Sequence, residues 1–577
     1  MDTTIVRQKV PKLIKGLEHP HPVLHRIYQA RNINSLDELS RDLKNLLPYS
    51  LLFGIDKATE RLIQAIKEEQ HIMIIGDFDV DGATSTALTV SVLREFGLKN
   101  VSYLIPNRFT HGYGLTPEIV EVASTQEPNL IITVDNGISS YAGVVRANQL
   151  GIDVLITDHH LPGGQLPPAC AIINPNCKED KFPSKCLAGV GVAFYLMLAF
   201  RAQLKKINWF EQNRLDCPNM AKFLDFVSLG TVTDIVSLDK NNRILVYQGL
   251  QRIRAGQAHE GILALLEVSG CKRETLRATD LGFTIGPRLN AAGRLDDMSL
   301  GVACLLANNR NMALDIAYQL DDLNKERRVI ESHMQREAFT VIDNLHLSQK
   351  LPLGICLYKE EWHQGVVGLV ASRVKARVHR PTIAFAKISN NTLQGSARSI
   401  SGLHICNVLV AIATKYPGLI TKFGGHAMAA GLSLPLNRYI DFQQAFIVEV
   451  KKTFNEENLQ LQLISDGELT SEELTLDLAE LVDQAGPWGQ GFPEPVFDGC
   501  FKLVNQRIVG QWHLKLILQV PETNYYLDGI AFYVNLKEWP NFDCEYVHLT
   551  YRLDINEFQG HRKLQLLVDH IQKQTLP

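Results

Sequence analysis

The chain has 577 residues, of which 45% are hydrophobic and 21% are charged, and its formal net charge at pH 7 is −4. A chain of this length is expected to form three or four domains of about 150 residues each, and its composition excludes a disordered protein. The net charge excludes a uniformly basic coat for nucleic acid but allows a local basic groove, because phosphate binding depends on where the charges lie.

The ten cysteines are spread singly along the chain, and no pair has C-x-x-C spacing. This pattern argues against a zinc ribbon and a disulfide framework, so we expect a reducing compartment. The N-terminal segment MDTTIVRQKVPKLIKGL lacks the apolar core of a signal peptide. The longest apolar run, residues 187–200, is shorter than the ~20 residues that cross a bilayer and predicts a buried helix. We therefore predict a cytoplasmic protein with no membrane partner.

Residues 1–50 are predicted to form a small helical or irregular N-terminal segment, with a short amphipathic helix over residues 34–46. From about residue 51 onward, short apolar runs alternate with helical stretches, which predicts an α/β fold with a parallel sheet covered on both faces. The predicted strands are residues 71–75, 101–105, 130–134, 154–156 and 171–173, and the helices between them are residues 82–96, 117–124 and 139–150.

Three of these strands are followed by acidic clusters. Residues 77–81 follow the first strand, Asp135 follows the third, and Asp158 with two histidines follows the fourth. Ligands bind beyond the carboxyl ends of the strands in an open parallel sheet. We therefore expect the three clusters to converge on one crevice.

The rest of the chain divides into a helix and two further domains. Residues 308–345 contain neither Gly nor Pro, and their apolar residues fall mostly at three- or four-residue steps, which predicts one long helix. Alternating segments near the C-terminus predict a small antiparallel domain, for which we expect a five-stranded, partly open OB-like β-barrel. The predicted limits are residues 51–305 for the first α/β domain, 306–348 for the connecting helix, 349–457 for a second α/β domain and 458–577 for the barrel.

The run GDFDVDG, residues 76–82, is the strongest chemical signal. Asp77, Asp79 and Asp81 alternate where a strand ends, and hard cations such as Mg²⁺ or Mn²⁺ prefer such oxygen ligands. A calcium loop of the EF-hand type is excluded, because its twelfth position, Leu88, is not Glu and the run lies between a strand and a helix. A solvated acidic turn remains an alternative, although three carboxylates at a buried strand repel one another without a cation.

Three further motifs carry acidic or histidine residues, each with a structural alternative. An aspartate after a strand is often a helix N-cap, and a His–Asp pair can be purely structural. Their appearance in order within one domain favours a common metal site. The residues are Asp135 in ITVDNG, Asp158, His159 and His160 in TDHH, and Asp234 in GTVTD.

DFDVDG, ITVDNG, TDHH and GTVTD together resemble the motifs of the DHH phosphoesterase superfamily. Motifs further along the chain resemble those of the RecJ family of single-stranded-DNA exonucleases within it, and the resemblance covers nearly the whole chain. They are GVGVAFY (189–195), GPRLNAAGRLDD (286–297), WHQGVVGLVASR (362–373), GSARS (395–399), FGGHAMAAG (423–431) and GPWGQGFPEPVF (486–497). The resemblance implies a DHH domain, a DHHA1 domain and an OB domain.

The resemblance also implies an activity and roles for residues. It implies removal of nucleotides from the 5′ end of single-stranded DNA, in repair and recombination, with two divalent cations, Mn²⁺ or Mg²⁺. The implied metal ligands are Asp79, Asp81, Asp135, His159 and Asp234, with Asp135 bridging, and Asp77 and Asp158 close by. The implied catalytic residues are His160 near the scissile phosphate, Asp135 and Asp158. Small-molecule members usually place a His where this chain has Ile75, so the two metal sites are expected to differ.

Two cations about 3.5–4 Å apart can activate a water and stabilise the leaving oxygen. The chain has no G-x-S-x-G elbow, which agrees with a mechanism without a covalent nucleophile. His160 is expected to donate a proton or to stabilise the phosphate. Candidates for binding the substrate or its phosphates are Arg108, Arg288, Asn290, Arg294, Ser396, Arg398, Gly424, Gly425 and His426. Surface salt bridges and a plain tight turn remain the alternatives for these arginines and glycines.

Aromatic residues supply two further candidates. PNRFTHGYG, residues 106–114, is expected to form a rim on which bases stack, although Phe109 fits a packed core equally well. Arg288 and Arg294 are expected in a turn-rich segment. Trp488 and Phe492 either line the path of a strand or anchor the last domain.

Three functions compete at this stage. A 5′ exonuclease on single-stranded DNA is favoured, acting as a monomer with a helicase and a single-strand-binding protein as partners. The alternative is a hydrolase of short oligonucleotides or cyclic dinucleotides, which would need neither the long helix nor the last domain. A nucleic-acid-binding protein with a decayed site is disfavoured, because every expected acidic and histidine position is filled.

Overall fold

The computed structural model describes residues 3–8, 21–348, 351–453 and 461–574. These residues form two compact units. The larger unit comprises Ile5–Gly293, Asp297–Tyr318 and Leu463–Pro577, and the smaller unit consists mainly of Gln319–Gln462, with Met1–Thr4 and Arg294–Asp296. None of the helices in the described parts of the chain has the length and apolar character that a membrane span needs.

The N-terminal segment contains β1 (Thr3–Arg7) and α1 (Pro22–Ala30). The amphipathic helix predicted over residues 34–46 is wrong, because the chain forms two separate 3₁₀ turns, Leu36–Leu39 and Leu43–Asn45, with extended backbone between them. Neither turn buries a residue, so there is no packed apolar face to sustain a longer helix. Residues 9–20 of the predicted segment lie outside the described residues.

The larger unit is built on a five-stranded sheet whose neighbouring strands are all parallel, in the order β3-β2-β4-β5-β6. The predicted strands are confirmed to within one residue at either end. They are β2 (Ile72–Ile75), β3 (Val101–Leu104), β4 (Leu130–Val134), β5 (Asp153–Thr157) and β6 (Ala171–Ile173). The chain leaves β2 in one direction to reach β3 and returns on its other side as β4. The crevice between the ends of β2 and β4 is therefore the topological switch point, where ligands bind in such sheets.

The helices that the structure describes in this unit surround the sheet or extend from it. They are α1, α2 (Ile55–Lys67), α3 (Val80–Glu95), α4 (Pro117–Ser124), α5 (Tyr141–Gln149), α6 (Gly189–Lys206), α7 (Trp209–Gln212), α8 (Leu224–Thr233), α9 (Lys240–Arg254), α10 (Glu260–Ser269), α11 (Ala278–Asp280), α12 (Gly286–Leu295) and α13 (Ser299–Leu305). Helix α3 packs against α6 and α8 and is buried along most of its length. Its buried hydroxyls at Thr84 and Thr86 donate to the carbonyls of Val80 and Gly82, which satisfies them inside the helix.

The turn-rich segment predicted around Arg288 and Arg294 is wrong, because α12 is a regular helix preceded by a π-helical turn, Leu281–Ile285. Its glycines serve close packing and not turns. A Cβ added at Gly293 would collide with the carbonyl oxygen of Phe78, and one added at Gly286 would lie 2.5 Å from Thr233 Cγ2. The segment thus packs tightly beside the loop that follows β2 and the end of α8.

The predicted long helix is confirmed as α14 (Arg310–Ser348), which has 39 residues. The smaller unit also contains a mixed sheet in the order β10-β11-β9-β8-β7, in which only β7 and β8 are parallel. Its elements are β7 (Ile355–Tyr358), α15 (Val367–Val378), β8 (Thr382–Ser389), β9 (Thr392–Arg398), α16 (Ile405–Lys415), β10 (Lys422–Gly425), β11 (Ala429–Pro435) and α17 (Tyr439–Thr453). This is the second α/β domain that the sequence predicted.

The C-terminal part of the larger unit is a closed barrel in the order β13-β14-β15-β17-β16. Its elements, with the strand that pairs with β1, are β12 (Leu461–Ser465), α18 (Leu476–Ala485), β13 (Phe497–Val509), β14 (His513–Gln519), β15 (Tyr526–Ala531), β16 (Tyr546–Phe558) and β17 (His561–Gln574). The expected strand number is confirmed, but the partly open form is wrong. Strand β13 closes the barrel because residues 497–502 pair with β16 and residues 502–509 pair with β14.

Trp488 and Phe492 anchor this part of the chain. Both are buried, and their rings stack with centroids 4.9 Å apart. Tyr28 stacks on the same pair, and the guanidinium of Arg243 lies 4.4 Å from the Phe492 ring centre. Of the two alternatives that the sequence left open, the structural one is confirmed.

Candidate metal centre

The loop that follows β2 presents three carboxylates, each held differently. Asp77 accepts a hydrogen bond from its neighbour's backbone, Phe78 N–H, at 2.7 Å. Asp79 is the N-cap of α3 and accepts from Gly82 N–H at 3.1 Å. Asp81 lies in the first helical turn. A Cβ at Gly82 would collide with the backbone of Asp77, so the turn requires glycine there.

Asp81 reaches across to the N-terminus of α6. Its two carboxylate oxygens accept hydrogen bonds from Gly189 N–H at 2.6 Å and Val190 N–H at 2.9 Å. A carboxylate at a helix N-terminus also interacts favourably with the helix dipole. These contacts fix the side chain almost completely buried beneath the crevice.

Asp135 follows β4 with a left-handed backbone, φ 61°, which is uncommon outside glycine. It is not the N-cap of α5, since that helix begins at Tyr141 with Ser140 as its cap, so the capping alternative is wrong. Its carboxylate is buried, and among the described residues Oδ1 accepts no hydrogen bond. The same atom lies 3.1 Å from His159 Nε2. A buried, unsatisfied carboxylate oxygen is costly unless a cation binds it.

Asp158 holds the second histidine of the TDHH motif and is not itself placed to bind a cation. Its Oδ1 accepts from the backbone N–H groups of both histidines and, at 2.7 Å, from His160 Nδ1. Its Oδ2 accepts from Ile138 N–H at 2.9 Å. Because a carboxylate only accepts, the Nδ1 atom of His160 carries a proton, and its Nε2 atom lies 3.3 Å from the Tyr113 hydroxyl.

The pKa values of His160 and Asp158 are both shifted. Burial lowers the pKa of His160, but the hydrogen bond and charge of Asp158 outweigh this effect and raise it to about 9. Burial likewise raises the pKa of Asp158, and the same hydrogen bond lowers it below its usual value. His160 is therefore a cation at neutral pH, close to where a phosphate would need a proton or a positive charge.

Asp234 follows the last residue of α8, at the C-terminal end of the helix. The N-capping alternative is wrong, because no free N–H group points from this end of a helix. The negative end of the helix dipole disfavours a carboxylate and favours a cation there. Its Oδ2 lies 3.5 Å from His159 Nε2, which brings it to the same cluster as Asp81 and Asp135.

The structure brings the five implied metal ligands together, and Asp77 with them. In the described residues three groups have ligand atoms within 4.8 Å of one another, and these are Asp77, Asp79 and Asp135; Asp81, His159 and Asp234; and Asp135, His159 and His160. Asp135 belongs to two of them. The arrangement therefore provides two adjacent positions for cations, with Asp135 between them.

The electrostatics of the cluster fit divalent cations. Burial first, and then the charge of Asp79, raise the pKa of Asp77 to about 8 and that of Asp81 to about 7. Burial and the neighbouring aspartates also raise the pKa values of Asp135 and Asp234 well above the usual range. Ionised carboxylates this close together need a positive charge among them. Oxygen-rich donor sets with one imidazole suit Mn²⁺ and Mg²⁺.

An aromatic and cationic rim borders the cluster. The guanidinium of Arg108 lies 4.2 Å from the centre of the Phe78 ring. Phe78 makes an edge contact with Tyr113, whose ring in turn contacts the ring of His160. The hydroxyl of Tyr113 is 3.3 Å from His160 Nε2. Burial lowers the pKa of Arg108, and Asp77 and Asp79 raise it in part.

Of the other predicted substrate residues in the larger unit, Arg288 and Asn290 lie on α12. Arg288 is buried and donates to the carbonyl oxygen of Thr284 at 2.6 Å, so its side chain is held against its own helix. Asn290 is half-buried.

The remaining candidates belong to the smaller unit. Arg294 donates to Gly365 O at 3.2 Å. Ser396 and Arg398 lie on β9, and Arg398 Nη1 donates to Ser396 Oγ at 3.0 Å. A Cβ at Gly368, in the first turn of α15, would lie 2.9 Å from both of these side chains. The pair therefore lies against a helix N-terminus, a natural site for an anion.

Arg398 is half-buried, and burial lowers its pKa. Within the described residues no carboxylate lies within ion-pair distance of it, so a surface salt bridge does not account for this arginine. Gly424 and Gly425 end β10, two strands away, and Gly424 is in register with Gly431 of β11, itself opposite Ser396. His426 follows them.

Comparison with known proteins decides the family. Three domain families match: the DHH family, N-terminal domain, over residues 71–231; the DHHA1 domain over 351–452; and the RecJ OB domain over 465–570. The single-stranded-DNA-specific exonuclease RecJ of Escherichia coli strain K12 is 53% identical over 551 residues, which cover 95% of this chain and 96% of that protein. The chain belongs to the RecJ family.

Further RecJ proteins match over their full length or in part. The RecJ of Haemophilus influenzae is 51% identical over 571 residues, which cover 97% of this chain and 99% of that protein. A crystal structure of RecJ in complex with Mn²⁺ from Thermus thermophilus is similar with a TM-score of 0.79 and 26% identity, over 96% of this chain and 76% of that one. A crystal structure of exonuclease RecJ bound to manganese is similar with a TM-score of 0.58 and 30% identity, over 71% of this chain and 96% of that one.

Several contacts of this RecJ-family centre were not predicted. The N–H groups of Gly189 and Val190 that hold Asp81 are more than a hundred residues away in sequence. The motif GVG at the start of a helix was the only signal for them. Ile138 N–H and the Tyr113 hydroxyl also escaped prediction, because nothing in the spacing of residues indicates which loop folds over which.

Proposed function

We propose that this RecJ-family chain is a 5′→3′ exonuclease specific for single-stranded DNA, which hydrolyses phosphodiester bonds with two divalent cations, Mn²⁺ or Mg²⁺, in repair and recombination. The observation that carries the proposal is Asp135, a buried carboxylate that forms one ligand group with Asp77 and Asp79 and another with His159 and His160, with an oxygen that accepts no hydrogen bond in the described residues. The names of relatives more than 50% identical support the substrate, and the manganese complex of the Thermus thermophilus RecJ supports the metal.

The proposed ligands are Asp77 and Asp79 on one side of Asp135, and Asp81, His159 and Asp234 on the other. Two bound cations would supply an activated water and a stabilised leaving oxygen. The protein side chains hold these positions through the backbone of the β2 loop and the N-terminus of α6. Asp77 is proposed as a direct ligand, since its carboxylate belongs to one of the groups.

His160 is proposed as the residue that meets the scissile phosphate. Asp158 orients its ring and keeps it protonated, so that Nε2 presents an N–H to a phosphate oxygen or to the leaving group. Asp158 is therefore a positioning residue for His160. Arg108, held over Phe78, is proposed to bind a neighbouring phosphate.

In the smaller unit, we propose that Ser396 and Arg398 bind a terminal phosphate, together with Gly424, Gly425 and His426. The support is a half-buried arginine with no acidic partner in the described residues, next to the N-terminus of α15. Arg288, Asn290 and Arg294 are proposed to shape the DNA path, Arg288 by holding α12 and the others by contact with the strand.

The alternative of a hydrolase of short oligonucleotides or cyclic dinucleotides is weaker. The chain matches RecJ proteins over 95% of its length, including a closed barrel that a small substrate would not need. For the same reasons a decayed binding protein is not favoured, because every ligand position is filled. A monomer in the cytoplasm, assisted by a helicase and a single-strand-binding protein, remains part of the proposal.

The test is degradation of an oligonucleotide labelled at one end or the other, with Mn²⁺ or with EDTA. The wild type should release the 5′ nucleotide first and only with the metal. Asp135→Asn should lose more than the roughly 100-fold that an outer-sphere partner contributes. Asp225→Asn is the matched control, since Asp225 is also buried and is hydrogen-bonded by His259 Nδ1 at 2.8 Å outside the cluster. Turnover of dinucleotides without cleavage of long strands would contradict the proposal.

A further inference from the structure

Two large apolar side chains are exposed beside the metal centre. Ile235, the residue after Asp234, is 67% exposed, and Phe283, in the π-helical turn before α12, is 79% exposed. Both lie on the wall of one cavity of about 290 Å³, here called the apolar pocket. Its other walls include Val236, Leu238, Thr279 and Trp488.

The backbone of the pocket is strained where it meets the metal centre. Ile235 has φ 60°, in the left-handed region that β-branched residues rarely adopt. Phe283 lies in a π-helical turn, a local irregularity that is frequent at functional sites. Strain of this kind persists where surrounding structure holds it, and it clusters at ligand sites. Here it keeps two apolar side chains in water, which folding alone would not favour.

The pocket adjoins the metal centre along the chain, because Thr233 and Ile235 line the pocket and Asp234 lies between them. The π-helical turn packs on the last turn of α8, since a Cβ at Gly282 would lie 3.4 Å from Val232 Cγ1 and one at Gly286 would lie 2.5 Å from Thr233 Cγ2. Trp488, another lining residue, stacks on Phe492. A group in the pocket would therefore lie next to the residues that flank Asp234.

The chemistry of the walls selects the occupant. None of the residues that line the apolar pocket has an ionisable side chain, so it is suited to an uncharged group and not to a phosphate. An exposed aromatic ring, aliphatic walls and a few hydroxyl and amide groups at the edge are what a flat heterocycle requires. The volume is that of a site for a small ring system.

We propose that the apolar pocket binds an unpaired base of the DNA substrate, with Phe283 as its stacking partner. The inference rests on the proposed exonuclease function and extends it by assigning a base site. A base can enter only when it is unpaired, so the pocket favours single strands over duplex. A base stacked on Phe283 also fixes the number of nucleotides between that base and the scissile phosphate.

The variants Phe283→Ala and Phe283→Trp test the proposal, and Phe542→Ala is the matched control. Phe542 is as exposed as Phe283, at 81%, but lies in the barrel domain away from the pocket walls. The substrates are oligonucleotides with a single abasic site at successive positions from the 5′ end, and a small chromogenic phosphodiester that has no base to stack. Melting temperatures and molecular mass in solution are measured for each variant.

In Phe283→Ala we expect KM for the normal oligonucleotide to rise about tenfold, with kcat for the chromogenic diester unchanged. Phe283→Trp and Phe542→Ala should stay near wild type. For the wild type, KM should rise by about the same factor when the abasic site is at one particular position. For Phe283→Ala the abasic site at that position should raise KM no further, because the two changes remove the same contact and their effects do not add.

An oligonucleotide KM within about twofold of wild type, with an unchanged abasic profile, would overturn the proposal. If Phe283→Ala loses as much activity on the chromogenic diester as on the oligonucleotide, the proposal is overturned and Phe283 has a structural role. If the variant changes its molecular mass in solution, the proposal is overturned and the exposed ring belongs to an interface with a second copy. If the wild type itself fails to degrade single strands, the proposed function fails instead, and the two failures are therefore distinct.

Discussion

Removal of divalent cations should destabilise the larger unit, and more at about pH 8.5 than at about pH 6. Burial and the charge of Asp79 raise the pKa of Asp77 to about 8 and that of Asp81 to about 7. Near the lower pH both carboxyls are mostly protonated in the metal-free protein and repel one another little. Near the higher pH both are ionised, and only bound cations offset their repulsion.

The size of the effect follows from Asp81. An unfolded carboxyl ionises at its ordinary pKa of 3.8, whereas the folded one ionises at about 7, so the folded state binds more protons and its stability falls as the pH rises between these values. Because the folded pKa of Asp81 is about 7, much of this loss already lies below pH 6, and for Asp81 alone the loss between about pH 6 and about pH 8.5 is about 1.5 kcal/mol. Asp77, whose folded pKa is about 8, adds about 2.5 kcal/mol over the same interval. Cation binding should restore that stability.

Thermal melting with EDTA or Mn²⁺ at the two pH values measures the difference in stability. Calorimetric titration with Mn²⁺ in buffers of different ionisation enthalpy measures the protons released on binding. We expect at least about two protons near pH 6 and fewer near pH 9. Asp81→Asn should release about one proton fewer, and Asp225→Asn should behave as wild type. Equal stabilisation by Mn²⁺ at both pH values, without proton release, would refute the reasoning.

Three further predictions follow from individual contacts. In Asp158→Asn, His160 loses the partner that raises its pKa to about 9, so the fall in kcat with rising pH should begin at lower pH, as a pH–rate profile would show. Gly189→Ala places a Cβ 2.5 Å from the side chain of Asp135 and should weaken Mn²⁺ binding in a titration. The Cβ of Gly163→Ala meets open space, so this control should bind Mn²⁺ as the wild type does. Burial raises the pKa of Asp498, but hydrogen bonds from a histidine, an arginine and a serine hold it below 3.8, so its contribution to stability is present above that pH and lost below it. Asp498→Asn should therefore flatten acid unfolding followed by circular dichroism.

The first sheet could be predicted from the sequence because its strands are buried on both faces. Continuous apolar runs such as residues 130–134 admit few other interpretations within an alternating β-α pattern. The segment GPRLNAAGRL misled prediction, because its glycines are read locally as turns. Their actual cause is the close approach of Phe78 and Thr233, which are distant in sequence. Closure of the barrel depends likewise on one long strand, β13, that pairs with β16 along its first half and with β14 along the rest, which no periodicity reveals.

The metal ligands could be predicted because strand ends converge in a parallel sheet. Their individual roles could not, because a role depends on which N–H groups each carboxylate accepts. Asp158 looked like a possible ligand in the sequence, yet four hydrogen bonds occupy it. Asp135 looked like a helix cap and instead has an oxygen that accepts none in the described residues.

The hydrogen bonds therefore separate structural carboxylates from those that remain available to cations. Each N–H that a carboxylate accepts uses electron density that a metal would otherwise share. Asp81 accepts two and keeps limited capacity, which suits a ligand to one cation. Asp135 Oδ1 accepts no hydrogen bond in the described residues, which leaves it available to a cation. The left-handed backbone of Asp135 is then the strain that the fold accepts to place this carboxylate beside His159, with Oδ1 3.1 Å from Nε2.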